Sequence, residues 1–381
     1  MQPSGTMTRR TALLELAAIA AGALLAAAWL AIFSRGPETR FEDFALGAAT
    51  TTHYAAIDGH PIHCKTLDDA EACIEGFRAR GLDRVALWLG NSQIHSLNQQ
   101  QPGDETAVLR LFRPLQARGI DFLTFSQPNA NLQEHLVLLA YLAQRLPVEW
   151  LLLPVVFDDL RETGLRAEIA TALDDSATVA ALSQFPIGER IMTQEPQTET
   201  NDLAALDETV QEASEQGLNA WLESHVGLWA SRPEIRGRIL TDLLTFRNRV
   251  FGIDAQSKRK MIPSRYRANM DALAAILALA ADAGIRTTTY IVPIRDDVEI
   301  PYVANEYGRF QEEVEALARE HGATFADLGP IVPGELWGMQ DATDGVGEPE
   351  YDFMHFQARG HALLAEAIAA LLDPQIAEAV Q

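Results

Sequence analysis

Two short blocks in the chain carry residue types able to do acyl chemistry. The first is Gly90-Asn91-Ser92, which closes the apolar run Val85 to Leu89. The second is Asp352-Phe353-Met354-His355, near the other end of the 381 residues. A serine hydroxyl is a weak nucleophile until a base takes its proton, and the base needs a third group to orient it. The spacing of Asp352 and His355 lets the carboxylate aim at one imidazole nitrogen and leaves the other for Ser92. Each block alone has a plainer explanation. Gly-Asn-Ser suits an ordinary strand-to-helix turn with serine as N-cap, and Asp-x-x-His suits a helix N-terminal acid followed by a surface histidine. Only their conjunction points to a serine–histidine–aspartate relay, and only if the fold brings both to one rim.

The elements around them fit that condition. Val85 to Leu89 reads as a buried parallel strand. A small polar residue just after such a strand sits at the carboxyl edge of the sheet, where open α/β sheets bind ligands. Further strands are predicted over Ile120–Phe125, Val148–Phe157, Arg286–Pro293 and Ala323–Leu328. Helices alternate with them, over about 66–80, 105–118, 132–144, 266–283, 307–321 and 362–372, several of them stopped by glycine. This rhythm predicts an α/β domain with a parallel sheet. It is interrupted at about 161–267, read as a helical insertion: helices over Glu162–Leu182, Leu203–Ala230 and Pro233–Val250, with Trp221 and Trp229 facing a core. Gln184–Asn201, Ile57–His63 and the basic run Ser257–Lys260 read as exposed loops, and His53, His60 and His63 as solvated rather than metal-binding.

Together the two blocks resemble the SGNH/GDSL hydrolase superfamily, in which Gly-Asp/Asn-Ser follows the first sheet strand and Asp-x-x-His precedes the last helix. In layout the likeness runs from about Arg84 to Leu372. It implies a three-layer α/β/α fold with a parallel, flavodoxin-like sheet. It also implies Ser92 as nucleophile with its N–H toward the oxyanion, His355 as base and Asp352 as its partner, with no metal or organic cofactor. Two further family blocks, a middle glycine and Gly-x-Asn-Asp, complete the oxyanion hole. Here Ser126 to Asn131 contains Pro128, which lacks an N–H. Asn129 or Asn131 would then donate in its place, though both also suit helix capping, and Asn91 joins them as a binding candidate. Val156-Phe157-Asp158-Asp159 overlays the other block and puts Asp158 where the family has asparagine. One good oxyanion donor contributes about 3 kcal/mol, whereas a carboxylate repels the charge. Asp158 is therefore expected to be protonated, turned away or paired with a cationic acyl group, or else the site is silent.

Composition sets the outer bounds. A formal net charge of −23 with three lysines argues against nucleic acid as partner. Cys64 and Cys73 form no metal-ligand pattern and are either a disulfide or two thiols. Leu16 to Phe33 is apolar throughout, long enough to span a bilayer with snorkelling flanks, and Arg9 and Arg10 precede it. Residues 1–34 are read as a cytoplasmic N-terminus and transmembrane anchor, with a cleaved signal peptide as the rival. Residues 35–381 are read as one domain outside the cytoplasm, at the inner membrane. This layout is similar to that of proteins that transfer D-alanyl groups to teichoic acids or O-acetylate exported polysaccharides beside a membrane-bound acyl exporter. The expected function is that of an esterase or O-acyltransferase acting on an acyl ester of a cell-envelope or exported glycan. A non-catalytic glycan-binding or assembly protein is the alternative.

Overall fold

The computed structural model describes residues 49–65, 67–194, 248–345 and 347–379. The expected anchor at 1–34 lies outside them, as does about half of the expected insertion, including Trp221 and Trp229. Among the described residues no helix is long and apolar enough to cross a membrane.

The core is a six-stranded sheet built from β4 (His63–Cys64), β5 (Val85–Gly90), β7 (Asp121–Ser126), β8 (Val148–Val155), β9 (Arg286–Ile291) and β10 (Thr324–Asp327). Its order is β10-β9-β8-β5-β7-β4, and every neighbouring pair is parallel. All residues of β5 and β7 are buried. Successive side chains in a strand point to opposite faces, so both faces of the sheet are covered, which is why β5 carries an unbroken apolar run. The covering helices include α1 (Leu67–Arg80), α3 (Ala107–Gln116), α4 (Leu132–Leu142), α8 (Pro263–Asp282), α9 (Ala304–Glu320) and α10 (Ala358–Ala379). Helix α4 packs against α8, and α3 against α10.

The chain leaves β5 for β7 on one side and later enters β8 on the other. The carboxyl ends of β5 and β8 therefore flank the point where the winding reverses. That is where a doubly wound sheet opens a crevice.

Small antiparallel pieces decorate this rim. Strand β1 (Thr50–Thr52) pairs with β6 (Ser96–Asn98), β2 (Ala56–Ile57) with β3 (His60–Pro61), and β11 (Trp337–Gln340) with β12 (Glu350–Phe356). The five expected sheet strands are all present, shifted by a few residues at most. Several loops and one helix differ from expectation. Ile57–His63 is not a solvated loop: it forms a hairpin and then starts edge strand β4, and His63 is only 2% exposed. A two-residue strand carries no periodicity to read. Pro186–Thr193, expected as loop, is helix α7, in which Ile187 and Ile191 are buried one turn apart. Pro186 occupies the first turn, where its missing N–H costs nothing. Expected as one helix, Glu162–Leu182 is broken into α5 (Ala167–Ala170), a 3₁₀ turn (Thr171–Asp174) and α6 (Ser176–Leu182). The restart comes where the Asp175 carboxylate accepts from the Thr178 N–H at 2.9 Å. Cys64 and Cys73 are joined in a disulfide that ties β4 to α1.

Candidate active site

Ser92 is the first residue of α2 (Ser92–His95), a single helical turn that starts where β5 ends. Asn91 is its N-cap: its Oδ1 accepts from the Gln93 N–H at 3.1 Å. Glycine at position 90 has a steric cause. A Cβ there would lie 1.9 Å from Ile94 Cδ1 and 3.4 Å from Pro154 Cγ. With that atom present the Ile94 side chain would have to leave its place over the strand end.

His355 comes from β12 and faces the same rim. Its Nε2 is 2.9 Å from Ser92 Oγ, and its Nδ1 is 3.0 Å from Asp352 Oδ2. An ionised carboxylate only accepts, so Nδ1 carries the proton and Nε2 is left to accept from the Ser92 hydroxyl. The Asp352 carboxylate is itself held on both oxygens. Oδ1 accepts from the backbone N–H groups of Met354 and His355 at 2.8 and 2.9 Å, and Oδ2 from Asn98 Nδ2 at 3.1 Å. Burial opposes its ionisation, but His355 and the hydrogen bonds outweigh burial and keep its pKa below the ordinary carboxylate value. All three residues are buried, Ser92 at 6%, His355 at 7% and Asp352 at 1% exposure.

Two residues not singled out from the sequence hold this arrangement together. Gln93 Nε2 donates to the carbonyls of Pro293 (2.9 Å) and Met354 (3.0 Å), which fastens the serine turn to the strand bearing the histidine. Asn98 reaches Asp352 because position 338 is glycine; a Cβ at Gly338 would sit 1.9 Å from the Asn98 amide. Neither contact has a local signature, since the partners are 200 or more positions apart.

Ser92, His355 and Asp352 line a cavity of about 140 Å³, together with Asn129, Asp158 and Arg259. A larger cavity of about 330 Å³ lies at the amino-terminal ends of β9 and β10, and no serine or cysteine lines it. The chemistry singles out the smaller one.

The other expected site residues separate. Asn129 lines the cavity in a left-handed backbone conformation, φ 51°, which asparagine tolerates better than most residues. Asn131 does not line it. Its side chain caps α4 in a reciprocal box with Glu134, and its Nδ2 donates to the Gly164 carbonyl at 3.0 Å, so both ends of the amide are engaged. Asn91 Nδ2 donates to Asp159 Oδ2 at 2.8 Å, which leaves Asn91 a tether between the serine turn and the end of β8. Burial pushes the Asp159 carboxyl well above its ordinary pKa.

Asp158 lines the cavity and is already paired. Its Oδ2 accepts from Arg259 Nη1 and from the Tyr302 hydroxyl, the latter at 3.1 Å. Arg161 Nη1 lies 3.5 Å from its other oxygen. One carboxylate is thus matched by two guanidinium groups. The basic run Ser257–Lys260 is a loop with Lys258 and Lys260 exposed, as expected, but Arg259 is half-buried and the run is tied to the rim. The Arg259 N–H donates to the Pro301 carbonyl at 2.8 Å, the Lys260 carbonyl accepts from Arg161 Nε at 3.0 Å, and the next N–H, of Met261, donates to Glu306 at 2.7 Å.

A second serine–histidine group lies nearby. Ser126 Oγ, at the end of β7, is 2.6 Å from both His63 Nε2 and His95 Nδ1. One hydroxyl can donate to one ring and accept from the other. All three side chains are at most 2% exposed, and burial lowers the His63 pKa to about 3. This cluster binds β4, α2 and β7 together and is closed to a substrate.

No protein-family model matches the chain, and no curated protein matches it. Among solved structures it is similar to LAE5, an α/β hydrolase enzyme from the metagenome of Lake Arreo, with 9% identity, a TM-score of 0.36, and coverage of 76% of this chain and 94% of that one. It is also similar to Axe2, an acetylxylan esterase from Geobacillus stearothermophilus, with 9% identity, a TM-score of 0.36, and coverage of 76% and 93%.

Proposed function

We propose that the protein is a serine-dependent acyl-ester enzyme of SGNH type. The observation that carries this is the continuous hydrogen-bonded chain from Ser92 Oγ through His355 to Asp352 at the rim of a cavity. In the first step the Ser92 oxygen bonds to the ester carbonyl carbon while its proton passes to His355 Nε2. The carbonyl electron pair moves to oxygen, toward the Ser92 N–H, which lies in the first turn of α2 and has no intrahelical acceptor. Collapse expels the alcohol, which takes the proton from His355, and leaves an acyl-Ser92 ester. Asp352 stabilises the imidazolium between these events. A second acceptor then attacks: water makes the protein an esterase, and a sugar hydroxyl makes it an O-acyltransferase.

The small cavity favours a short acyl group. The two guanidiniums around Asp158 favour a neutral acyl group such as acetyl over a cationic D-alanyl group. Action outside the cytoplasm, on a cell-envelope or exported glycan, is supported by the Cys64–Cys73 disulfide, since such bonds persist in oxidising compartments. The apolar run Leu16–Phe33 supports membrane tethering, beside a membrane-bound acyl exporter if the reaction is transfer. The test is a fluorophosphonate probe on the purified protein. Labelling that disappears in Ser92→Ala is expected. A folded wild-type protein that takes no label would turn the assignment to a non-catalytic glycan-binding or assembly protein.

A further inference from the structure

We infer that Arg259 is a catalytic residue that supplies the side-chain donor to the oxyanion, in the place vacated by an amide at position 158. The inference rests on the serine-ester reading above and adds to it.

Three features of the rim support this role. First, Arg259 and Ser92 line the same cavity of about 140 Å³, the space that a carbonyl bonded to Ser92 Oγ would occupy. Second, the guanidinium has five N–H donors in a fixed fork. Asp158 engages it through Nη1, which leaves donors over, and the side chain is 34% exposed at the rim. Third, the arginine is preorganised. Its backbone is hydrogen-bonded to Pro301 and bridged to Tyr302, and its Asp158 partner is itself held by the Tyr302 hydroxyl. Tyr302 is in turn stacked on Tyr307 with ring centroids 5.2 Å apart. A donor already held in place costs little reorganisation when charge develops.

Asp158 then has a coherent role. It does not face the oxyanion as a bare charge; it orients a cation. With Arg161 also beside it, the group of three keeps a net positive charge at this side of the cavity. In the chemical step the pair of electrons leaving the carbonyl double bond settles on oxygen and accepts from an Arg259 N–H. When the alcohol departs the pair returns to carbon and that hydrogen bond weakens. No proton leaves the guanidinium.

The test is steady-state hydrolysis of p-nitrophenyl acetate by the full chain and its variants. Removing an oxyanion donor costs about 10²–10³-fold in kcat. Arg259→Ala is therefore expected to lose about 100-fold or more in kcat with KM changed by less than about 3-fold, and added guanidinium ion is expected to restore part of the loss. Arg259→Lys keeps the charge beside Asp158 but not the fork; a fall of about 10-fold is expected, and this variant decides the matter if the alanine variant does not fold. A folded variant with wild-type kcat, or a loss confined to KM, overturns the inference. Absence of any Ser92-dependent turnover in the wild-type protein would instead overturn the ester-enzyme reading on which it stands.

Discussion

Acidification is a perturbation whose effect can be worked from the buried histidines. His63, His135 and His361 are each at most 2% exposed, and burial is the main cause that lowers their pKa values from 6.5 to about 3, about 3 and about 4. In the folded protein they stay neutral, whereas in the unfolded chain each binds a proton as pH falls below about 6.5. The unfolded state then holds more protons, so stability rises with pH across this window. It is complete above about pH 6.5 and is lost progressively below it. Each histidine costs about 1.4 kcal/mol per pH unit, or about 2 kcal/mol at pH 5, and the three together about 6 kcal/mol. His95, also lowered by burial, acts in the same direction. Asp159 opposes them: burial raises its pKa, so above about 3.8 the folded carboxyl keeps a proton that the unfolded one releases, and it offsets part of the histidine term as pH falls. Asp352, whose pKa is lowered, adds nothing until the pH drops below about 3.8. The net expectation is a loss of several kcal/mol between pH 7 and pH 5, of which the three histidines supply about 6 kcal/mol before the Asp159 offset, a large share of a typical domain's 5–15 kcal/mol. Urea unfolding followed by the fluorescence of buried Trp88 and Trp150 measures it. His135→Gln, which removes one titrating group, should shrink the pH 7 to pH 5 difference by about 2 kcal/mol. Equal stabilities at the two pH values, or an undiminished difference in the variant, would refute the reasoning.

Two other perturbations act on contacts described above. Asp352→Asn removes the anion that holds His355 and is expected to lower kcat by about 10²–10⁴-fold with little change in KM, measured on p-nitrophenyl acetate; unchanged kcat would show that the imidazole is oriented by something else. Reducing the Cys64–Cys73 bond opens a loop with a sequence separation of 9, and loop-closure entropy predicts a loss of about 2.5–3 kcal/mol, read as a lower urea midpoint in reductant than without it.

The local chemistry of the site was legible in the chain before any fold was known. Asp352 and His355 are three apart, and the contacts between them are made within that stretch, including the two backbone N–H groups that hold the carboxylate. The strand that presents Ser92 announces itself as an apolar run because both faces of a parallel sheet are buried, and the glycine before the serine marks a close approach. Patterns of this kind are short-range: period, capping and steric fit act over a few residues, and a few residues suffice to read them.

The surroundings of the triad were decided elsewhere. The sequence predicts an isolated carboxylate at Asp158, a defect in an oxyanion site; its neutralising partner Arg259 lies 101 positions away, in a run that reads as solvent-facing. His63 reads as a surface histidine and is buried because β7 offers an unpaired edge for two residues to join. Asn131 has the composition of a donor and is consumed by its own helix. In each case the outcome is an electrostatic or hydrogen-bond pairing that depends on which groups the folded chain brings within about 3 Å of one another. The strength of such a pairing depends on distance and desolvation in space, and neither quantity is encoded in spacing along the chain.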